Sequence, residues 1–157
     1  MIGRYTTPEM GALWSDASRF EHMLQVEIAV LQALADEGQV PADAVAAVAE
    51  RAAVDIDRIN EIEATTDHDV VAFVTQVAES VGEEGRWIHF GLTSSDVVDT
   101  GLALQCRAAA DLILAALDET IAVVVAKARE HAHTLQMGRT HGVHAEPLTF
   151  GLKLTTW

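Results

Sequence analysis

The longest uninterrupted helical pattern runs from about Ser95 to Thr134, and it constrains the fold more than any other feature. No proline occurs in this stretch, and Gly101 is its single helix-breaking residue. A helix of about 40 residues would be roughly 60 Å long. Within it, Leu112–Ala126 is apolar almost all round, although Asp118 and Glu119 lie near its middle. Such a helix belongs inside a multi-helix bundle, so we expect other subunits, or further chain, to cover it.

The rest of the chain also favours helices. Ala, Leu and Val dominate and aromatic residues make up 5%, which favours helix over a β-sandwich. Apolar positions at helical spacing run from Phe20 to Leu34, and Ser15 or Asp16 can cap that helix. We predict an all-α fold, with an N-terminal helical domain at residues 1–93 and the beginning of a long-helix bundle at residues 94–157.

Charge and targeting signals limit the partners. The formal net charge is −14, which argues against nucleic acid and anionic membranes but allows small anionic ligands where donors cluster. The N-terminus lacks a signal-peptide pattern, and no uncharged apolar run is long enough to predict a membrane span.

Cys106 is the single cysteine and cannot form an internal disulfide. We expect it to be a small core residue in a cytoplasmic protein.

The stretch richest in reactive side chains reads GRTHGVHAEPLTFG, Gly138–Gly151. We predict a glycine-punctuated loop that bends around a small ligand, with Pro147 opening the next helix. The alternative is a polar connection between helices whose histidines face water. The groups that could act on a ligand are Arg139, Thr140, His141, His144 and Glu146.

A second stretch, TTDHDVVAF, covers Thr65–Phe73. Thr66 or Asp67 can cap a helix here, which would put His68 in its first turn. The functional interpretation is a histidine directed into a cleft by the helix start. The alternative is a capping cluster that contains an incidental histidine.

A third stretch, HFGLTSSDVVDT, covers residues 89–100. Thr93, Ser94 and Ser95 supply three hydroxyls just before an apolar helix, and together with the free N–H groups of a helix start they predict an anion site. Plain N-capping needs only one of the three hydroxyls. His89 lies just upstream, and taken alone it is more often structural than catalytic.

Two other features of the sequence are weaker signals of function. Arg4 could bind a phosphate next to Tyr5 if the terminus folds back into a cleft, but such a pair is usually a surface or packing contact. Histidines 131, 133, 141 and 144 form a histidine-rich tract. No cysteine or well-spaced carboxylate completes a ligand set, so we predict no metal site.

The three stretches, in this order, resemble the bacterial adenylosuccinate lyase family of the fumarase/aspartase superfamily. RYTTPEM, from Arg4 to Met10, resembles the start of the same family, so the resemblance covers essentially all 157 residues. It implies elimination of fumarate from adenylosuccinate, giving AMP, and from the succinylated aminoimidazole carboxamide ribotide of purine biosynthesis. It also implies a homotetramer with no metal or organic cofactor. The alternatives are another lyase of the superfamily, such as argininosuccinate lyase, and a non-catalytic helical assembly or binding module.

The resemblance also implies roles for individual residues. His141 matches the general acid, and His68 matches the histidine that supports it and helps to hold the substrate. The other matching residues bind substrate: Arg4 and Tyr5 near the nucleotide phosphate, and Thr93 and Ser94 at the succinyl carboxylates. His89 matches another active-site histidine that binds substrate, and Thr140 binds substrate beside the acid.

The chain also departs from the family pattern. The family's third motif, of the type G-S-S-x-M-P-x-K-x-N-P, carries a serine base, and no such motif occurs in these 157 residues. The resemblance therefore implies an N-terminal portion that holds two of three site regions. We expect this chain alone to be inactive.

Overall fold

The computed structural model describes residues 2–157, and the described range is helical apart from one β-hairpin. This confirms the predicted all-α class. Short 3-10 helices occur at Gly3–Tyr5 and Glu83–Trp87. The longer elements are, in chain order, α1 (Pro8–Leu13), α2 (Asp16–Asp36), α3 (Ala42–Arg51), α4 (Ile56–Thr66), α5 (Asp69–Val81), α6 (Ser94–Glu130), β1 (Leu135–Thr140), β2 (Val143–Thr149) and α7 (Phe150–Leu154).

The chain divides into two compact units. One ends at Ala109, and the other covers Ala110–Trp157, so the division falls inside α6. The long helix itself was predicted correctly from the missing breakers, with an observed length of 37 residues. The expected domain boundary between residues 93 and 94 stays a prediction.

The core of the first unit forms where the apolar faces of its helices meet. Phe20 of α2 stacks on Phe73 of α5, with ring centroids 5.6 Å apart. Ser15 caps α2 by accepting the N–H of Ser18, as the sequence predicted. The largest fully buried apolar side chains are Leu31, Val48, Ile59, Phe73, Val77 and Val97.

Replacing Phe73 by Ala should destabilise the chain by about 3–5 kcal/mol, because it removes a fully buried ring and leaves a cavity. Val71 lies on the same helix but is half exposed, so Val71→Ala should change the free energy of unfolding by less than about 0.5 kcal/mol. Urea unfolding of both variants measures the difference. Equal stability losses would show that the face of α5 assigned to the core is wrong.

The first part of α6 closes this core with a narrow stripe of residues spaced four apart: Val97, Gly101, Gln105 and Ala109. A Cβ added at Gly101 would lie 3.3 Å from Met23 Cγ, so the two helices approach closely. The Gln105 side-chain amide donates to the carbonyl of Leu13 at 2.9 Å. Cys106 lies just off this stripe and is exposed, so the prediction of a core cysteine was wrong.

The second unit contains a β-hairpin where the sequence predicted a loop. β1 and β2 are antiparallel, and Thr140 pairs with Val143 across a two-residue turn. The turn residues His141 and Gly142 have φ values of 51° and 76°. Two consecutive positive φ angles are typical of the tight turns whose twist matches a hairpin.

The prediction that Pro147 opens the next helix was also wrong. Pro147 lies in β2 opposite Met137, where a two-stranded sheet tolerates a residue without an N–H. α7 begins three residues later, and the Thr149 side chain caps it by accepting the N–H of Leu152.

The base of the hairpin is fixed to the end of α6. Phe150 N–H donates to the carbonyl of Thr134 at 2.8 Å, and Gly151 N–H donates to the carbonyl of His131 at 2.9 Å. A Cβ at Gly151 would overlap the carbonyl oxygen of Ala128 and lie 2.8 Å from the Cα of Ala132. Only glycine fits this approach, which holds the hairpin in a defined place within its unit.

Candidate active site

The most specific polar contact in the first unit joins His89 to Glu27 of α2. Glu27 Oε2 accepts the backbone N–H of His89 at 2.8 Å, and Oε1 lies 2.7 Å from Nδ1 of its ring. The Glu27 side chain is fully buried, whereas that of His89 is 22% exposed. The carboxylate thus holds the histidine from the core side and leaves its other edge open to solvent.

The backbone at His89 has an unusual conformation. Its φ is 66°, in the left-handed region that non-glycine residues seldom adopt, and Gly91 follows with 77°. Ile88 is buried on the preceding side. Strain of this kind persists only where surrounding contacts impose it, and it clusters at functional sites. The two bonds to Glu27 supply such contacts.

The hydroxyls predicted to bind an anion lie at the start of α6. Asp96 Oδ2 accepts the backbone N–H of Thr93 at 2.9 Å, so an aspartate side chain stabilises this turn. Thr93 is exposed and Ser94 is half-buried. Within residues 2–157, neither the Thr93 nor the Ser94 hydroxyl forms a hydrogen bond. Both are therefore available to a ligand.

His68 occupies a different position from the one predicted. It is the N-cap of α5, not a residue of its first turn, and its Nδ1 accepts the N–H of Val71 at 3.4 Å. Asp67 instead ends α4 in a left-handed conformation, with φ of 50°. The sequence therefore placed the cap one or two residues too early.

Two contacts of the His68 ring exclude one another. Nδ1 also lies 3.7 Å from Asp69 Oδ1, which would be attractive only if Nδ1 carried a proton. We favour the capping arrangement, because 3.4 Å to the N of Val71 is within hydrogen-bond reach and 3.7 Å to Asp69 Oδ1 is not. Nδ1 then acts as an acceptor, and in the neutral ring the proton is on Nε2.

An ion pair joins the start of α4 to the end of α5, away from the turn that carries His68. Arg58 donates from Nε and Nη2 to the two carboxylate oxygens of Glu79, at 3.0 and 2.9 Å. These hydrogen bonds hold the pKa of Glu79 below its ordinary value. The bidentate contact joins the two helices along their exposed side.

Arg4 and Tyr5 lie near the N-terminus in the short 3-10 helix. The Arg4 guanidinium lies 4.8 Å from the centre of the Tyr5 ring. Both side chains are exposed.

Thr140 and His141 belong to the second unit, where His141 forms the hairpin turn. Both are exposed, as is His144 on β2. Arg139 pairs with His144 across the strands. The hairpin presents His141 at its tip, flanked by Gly142, with little steric cover.

Of the predicted residues in the first unit, the structure groups His89, Thr93 and Ser94 at the turn before α6. Within residues 2–109, no hydrogen bond links this turn to His68 or to the Arg4–Tyr5 pair. The assignment of these residues to one site therefore stays a prediction.

Sequence reasoning missed Glu27, although a signal was present. Glu27 lies three residues after Leu24 and four before Leu31, so it continues the apolar stripe of α2. A charged residue on a core-facing stripe requires a buried partner. The partner is 62 residues away in sequence, which periodicity alone does not reveal.

Residues 2–157 show neither a metal-binding cluster nor a membrane-spanning helix. No group of three or more His, Cys, Asp or Glu side chains is placed to hold a metal ion. No helix in the described range is long and apolar enough to cross a membrane.

Comparison with known proteins agrees with the fold and the motifs. A protein-family model described as "Lyase" matches residues 3–157. The chain belongs to this lyase family. It is 52% identical over 157 residues to adenylosuccinate lyase from Bacillus subtilis (strain 168). The match covers all of this chain but only 36% of the length of that relative.

Solved structures of the lyase family's relatives show the same fold. A crystal structure of a fumarate lyase from Mesorhizobium sp. BNC1 matches with a TM-score of 0.90 and 32% identity, covering 100% of this chain and 38% of the other. The 3-carboxy-cis,cis-muconate lactonizing enzyme from Pseudomonas putida matches with a TM-score of 0.86 and 37% identity, covering 97% of this chain and 36% of that one.

Proposed function

We propose that this chain is part of an adenylosuccinate lyase. The enzyme would eliminate fumarate from adenylosuccinate, giving AMP, and from the succinylated aminoimidazole carboxamide ribotide. The observation that carries the proposal is the 52% identity to the Bacillus subtilis enzyme across all 157 residues. The identity to the muconate lactonizing enzyme is lower, at 37%. We place the reaction in the cytoplasm and the active site in a homotetramer.

In this reaction a base removes a proton from the carbon next to a succinyl carboxylate. The electron pair of that C–H bond forms the double bond of fumarate, and the bond from carbon to the purine nitrogen breaks. His141 donates a proton to the departing nitrogen. His141 suits this role because it lies at an exposed hairpin tip with open space around it.

The negative charge that develops on the succinyl group needs donors. Thr93 and Ser94 offer uncommitted hydroxyls at the start of α6, beside the free N–H groups of its first turn. His89 lies on the same turn and is held by Glu27. Arg4 and Tyr5 bind the nucleotide phosphate, and Thr140 binds substrate beside the acid.

His68 supports the acid and helps to hold the substrate. With Nδ1 engaged at the start of α5, its Nε2–H is the group that can reach a ligand. The serine base of the family motif is not among these 157 residues. The complete reaction therefore uses a residue that this chain does not carry.

A hybrid enzyme tests the proposal. Residues 1–157 of this chain replace the matching 157 residues of the Bacillus subtilis adenylosuccinate lyase, and the rest of that enzyme is kept. We expect the hybrid to split adenylosuccinate with kcat/KM within about tenfold of the Bacillus enzyme. Argininosuccinate and 3-carboxy-cis,cis-muconate should react at least about 100-fold more slowly.

The two alternatives give different results in the same assay. A hybrid that acts on argininosuccinate or on the muconate in preference to adenylosuccinate identifies another lyase of the superfamily. A folded hybrid that binds adenylosuccinate without turnover, when the Bacillus enzyme turns it over, indicates a binding module. Circular dichroism and size-exclusion chromatography of the hybrid establish that it is folded.

A further inference from the structure

We propose that Glu27 is a positioning residue for His89. Its carboxylate fixes the proton on Nδ1 and holds the ring, so that Nε2 is the nitrogen that meets the substrate. The substrate contact of His89 rests on the proposed function, whereas the state of the ring does not.

We take Glu27 as ionised, and its position then determines which nitrogen of the imidazole carries the proton. An ionised carboxylate has only acceptors, so a contact of 2.7 Å between Oε1 and Nδ1 requires Nδ1 to donate. The proton is therefore on Nδ1 whether the ring is neutral or charged. Nε2 is left for an external partner, as an acceptor in the neutral ring and a donor in the charged one.

The second oxygen fixes the backbone. Oε2 accepts the N–H of His89 at 2.8 Å, and this residue has a left-handed φ of 66°. One side chain therefore holds the ring and the backbone of the same residue. Loss of Glu27 would free both the ring and the backbone. The ring could then rotate or change its tautomer.

Core stability alone does not account for Glu27. It is fully buried among apolar residues of α2 such as Leu24 and Leu31. An apolar residue of similar volume commonly stabilises a core at least as well as a buried charged pair. Both oxygens of Glu27 are directed at a single residue, and that residue is partly open to solvent. Such an arrangement suits the orientation of a binding group.

A double-mutant cycle in the hybrid enzyme tests the proposal. Glu27→Gln keeps the shape of the side chain but no longer requires Nδ1 to donate. We expect it to lower kcat/KM for adenylosuccinate by about 10- to 100-fold, mostly through KM. His89→Gln should cause a loss at least as large. The double variant should be no worse than His89→Gln alone, because Glu27 acts only through His89.

Glu79→Gln provides the matched control. Glu79 also accepts two hydrogen bonds from a single residue, Arg58, but it faces no histidine. Its replacement should leave kcat/KM within about twofold. Glu27→Gln without effect, or losses from Glu27→Gln and His89→Gln that multiply in the double variant, would overturn the proposal.

A measurement on the unmodified 157-residue chain does not depend on the folding of Glu27→Gln. Nitrogen-15 NMR of histidine-labelled protein, with His89 assigned from the His89→Gln spectrum, reports which ring nitrogen carries the proton. We expect Nδ1–H throughout, with Nε2 the nitrogen that gains or loses a proton. A neutral His89 with the proton on Nε2 would contradict the proposal, even if Glu27→Gln failed to fold.

The two measurements separate this proposal from the proposed function. A protonated Nδ1 in a chain whose hybrid does not split adenylosuccinate would refute the function and leave the Glu27–His89 assignment in place. An active hybrid in which the losses from Glu27→Gln and His89→Gln multiply in the double variant would refute the positioning role alone.

Discussion

Replacing His141 by Gln in the hybrid enzyme should lower kcat for adenylosuccinate by about 10² or more. General acid–base catalysis typically contributes about 10²–10⁴ to the rate, and an amide cannot protonate the leaving nitrogen. KM should change little, because we propose that residues other than His141, which lies at the tip of the hairpin, bind the substrate. Steady-state rates of fumarate release measure both constants.

His144→Gln is the matched control for this prediction. His144 is exposed on the same hairpin, three residues along the chain, so its replacement should leave kcat within about twofold. His68→Gln should reduce activity with a larger share in KM, since its ring is committed to the start of α5 through Nδ1. Near-normal kcat for His141→Gln, together with complete loss for His68→Gln, would reverse the two roles.

The second large effect concerns assembly. In the second unit, α6 exposes a row of apolar side chains at helical spacing: Leu114, Leu117, Ile121 and Val125. Ile121 is 50% exposed. Leu117, Ile121 and Trp157 also line a groove of about 430 Å³. An apolar surface of this extent rarely remains uncovered, and we expect further copies of this chain to cover it.

Ile121→Glu should therefore weaken self-association of the chain by about 100-fold or more, because a charge placed inside an apolar interface loses its hydration. Val71→Glu on α5 is the control, since Val71 is also about half exposed but lies outside the row on α6. Sedimentation velocity across a range of concentrations gives the assembly state. A dilute, stable monomer for the unmodified chain would contradict the account of this surface.

The long helix and the helical class were predictable because they depend on local signals. The absence of proline and the spacing of apolar residues are read directly along the chain, and they gave α6 to within a few residues. The caps were predicted less accurately. Asp67 has the side chain of an N-cap but is the C-cap of α4, which makes His68 the N-cap of α5.

The hairpin was missed because its strands lack a clear apolar alternation. Its turn residues nevertheless gave a signal, since Gly142 occupies a position that requires a positive φ. His141 adopts a positive φ beside it without being glycine, and no pattern in the sequence predicts that conformation.

Glu27 shows the limit of periodicity in a different way. The spacing of α2 places it on the core-facing stripe, but the contact that explains it joins residues 62 positions apart. Only the packing of the turn before α6 against α2 brings them together. The candidate residues identified from motifs were therefore found without the group that orients one of them.

We propose above all that these 157 residues carry the acid and the substrate-binding groups of an adenylosuccinate lyase. Proton NMR of the hybrid enzyme incubated with adenylosuccinate tests it most directly, because the spectrum resolves substrate and both products. We expect one fumarate and one AMP for each adenylosuccinate consumed, at a rate that His141→Gln lowers by about 10² or more. A folded, tetrameric hybrid that leaves adenylosuccinate unchanged would contradict it.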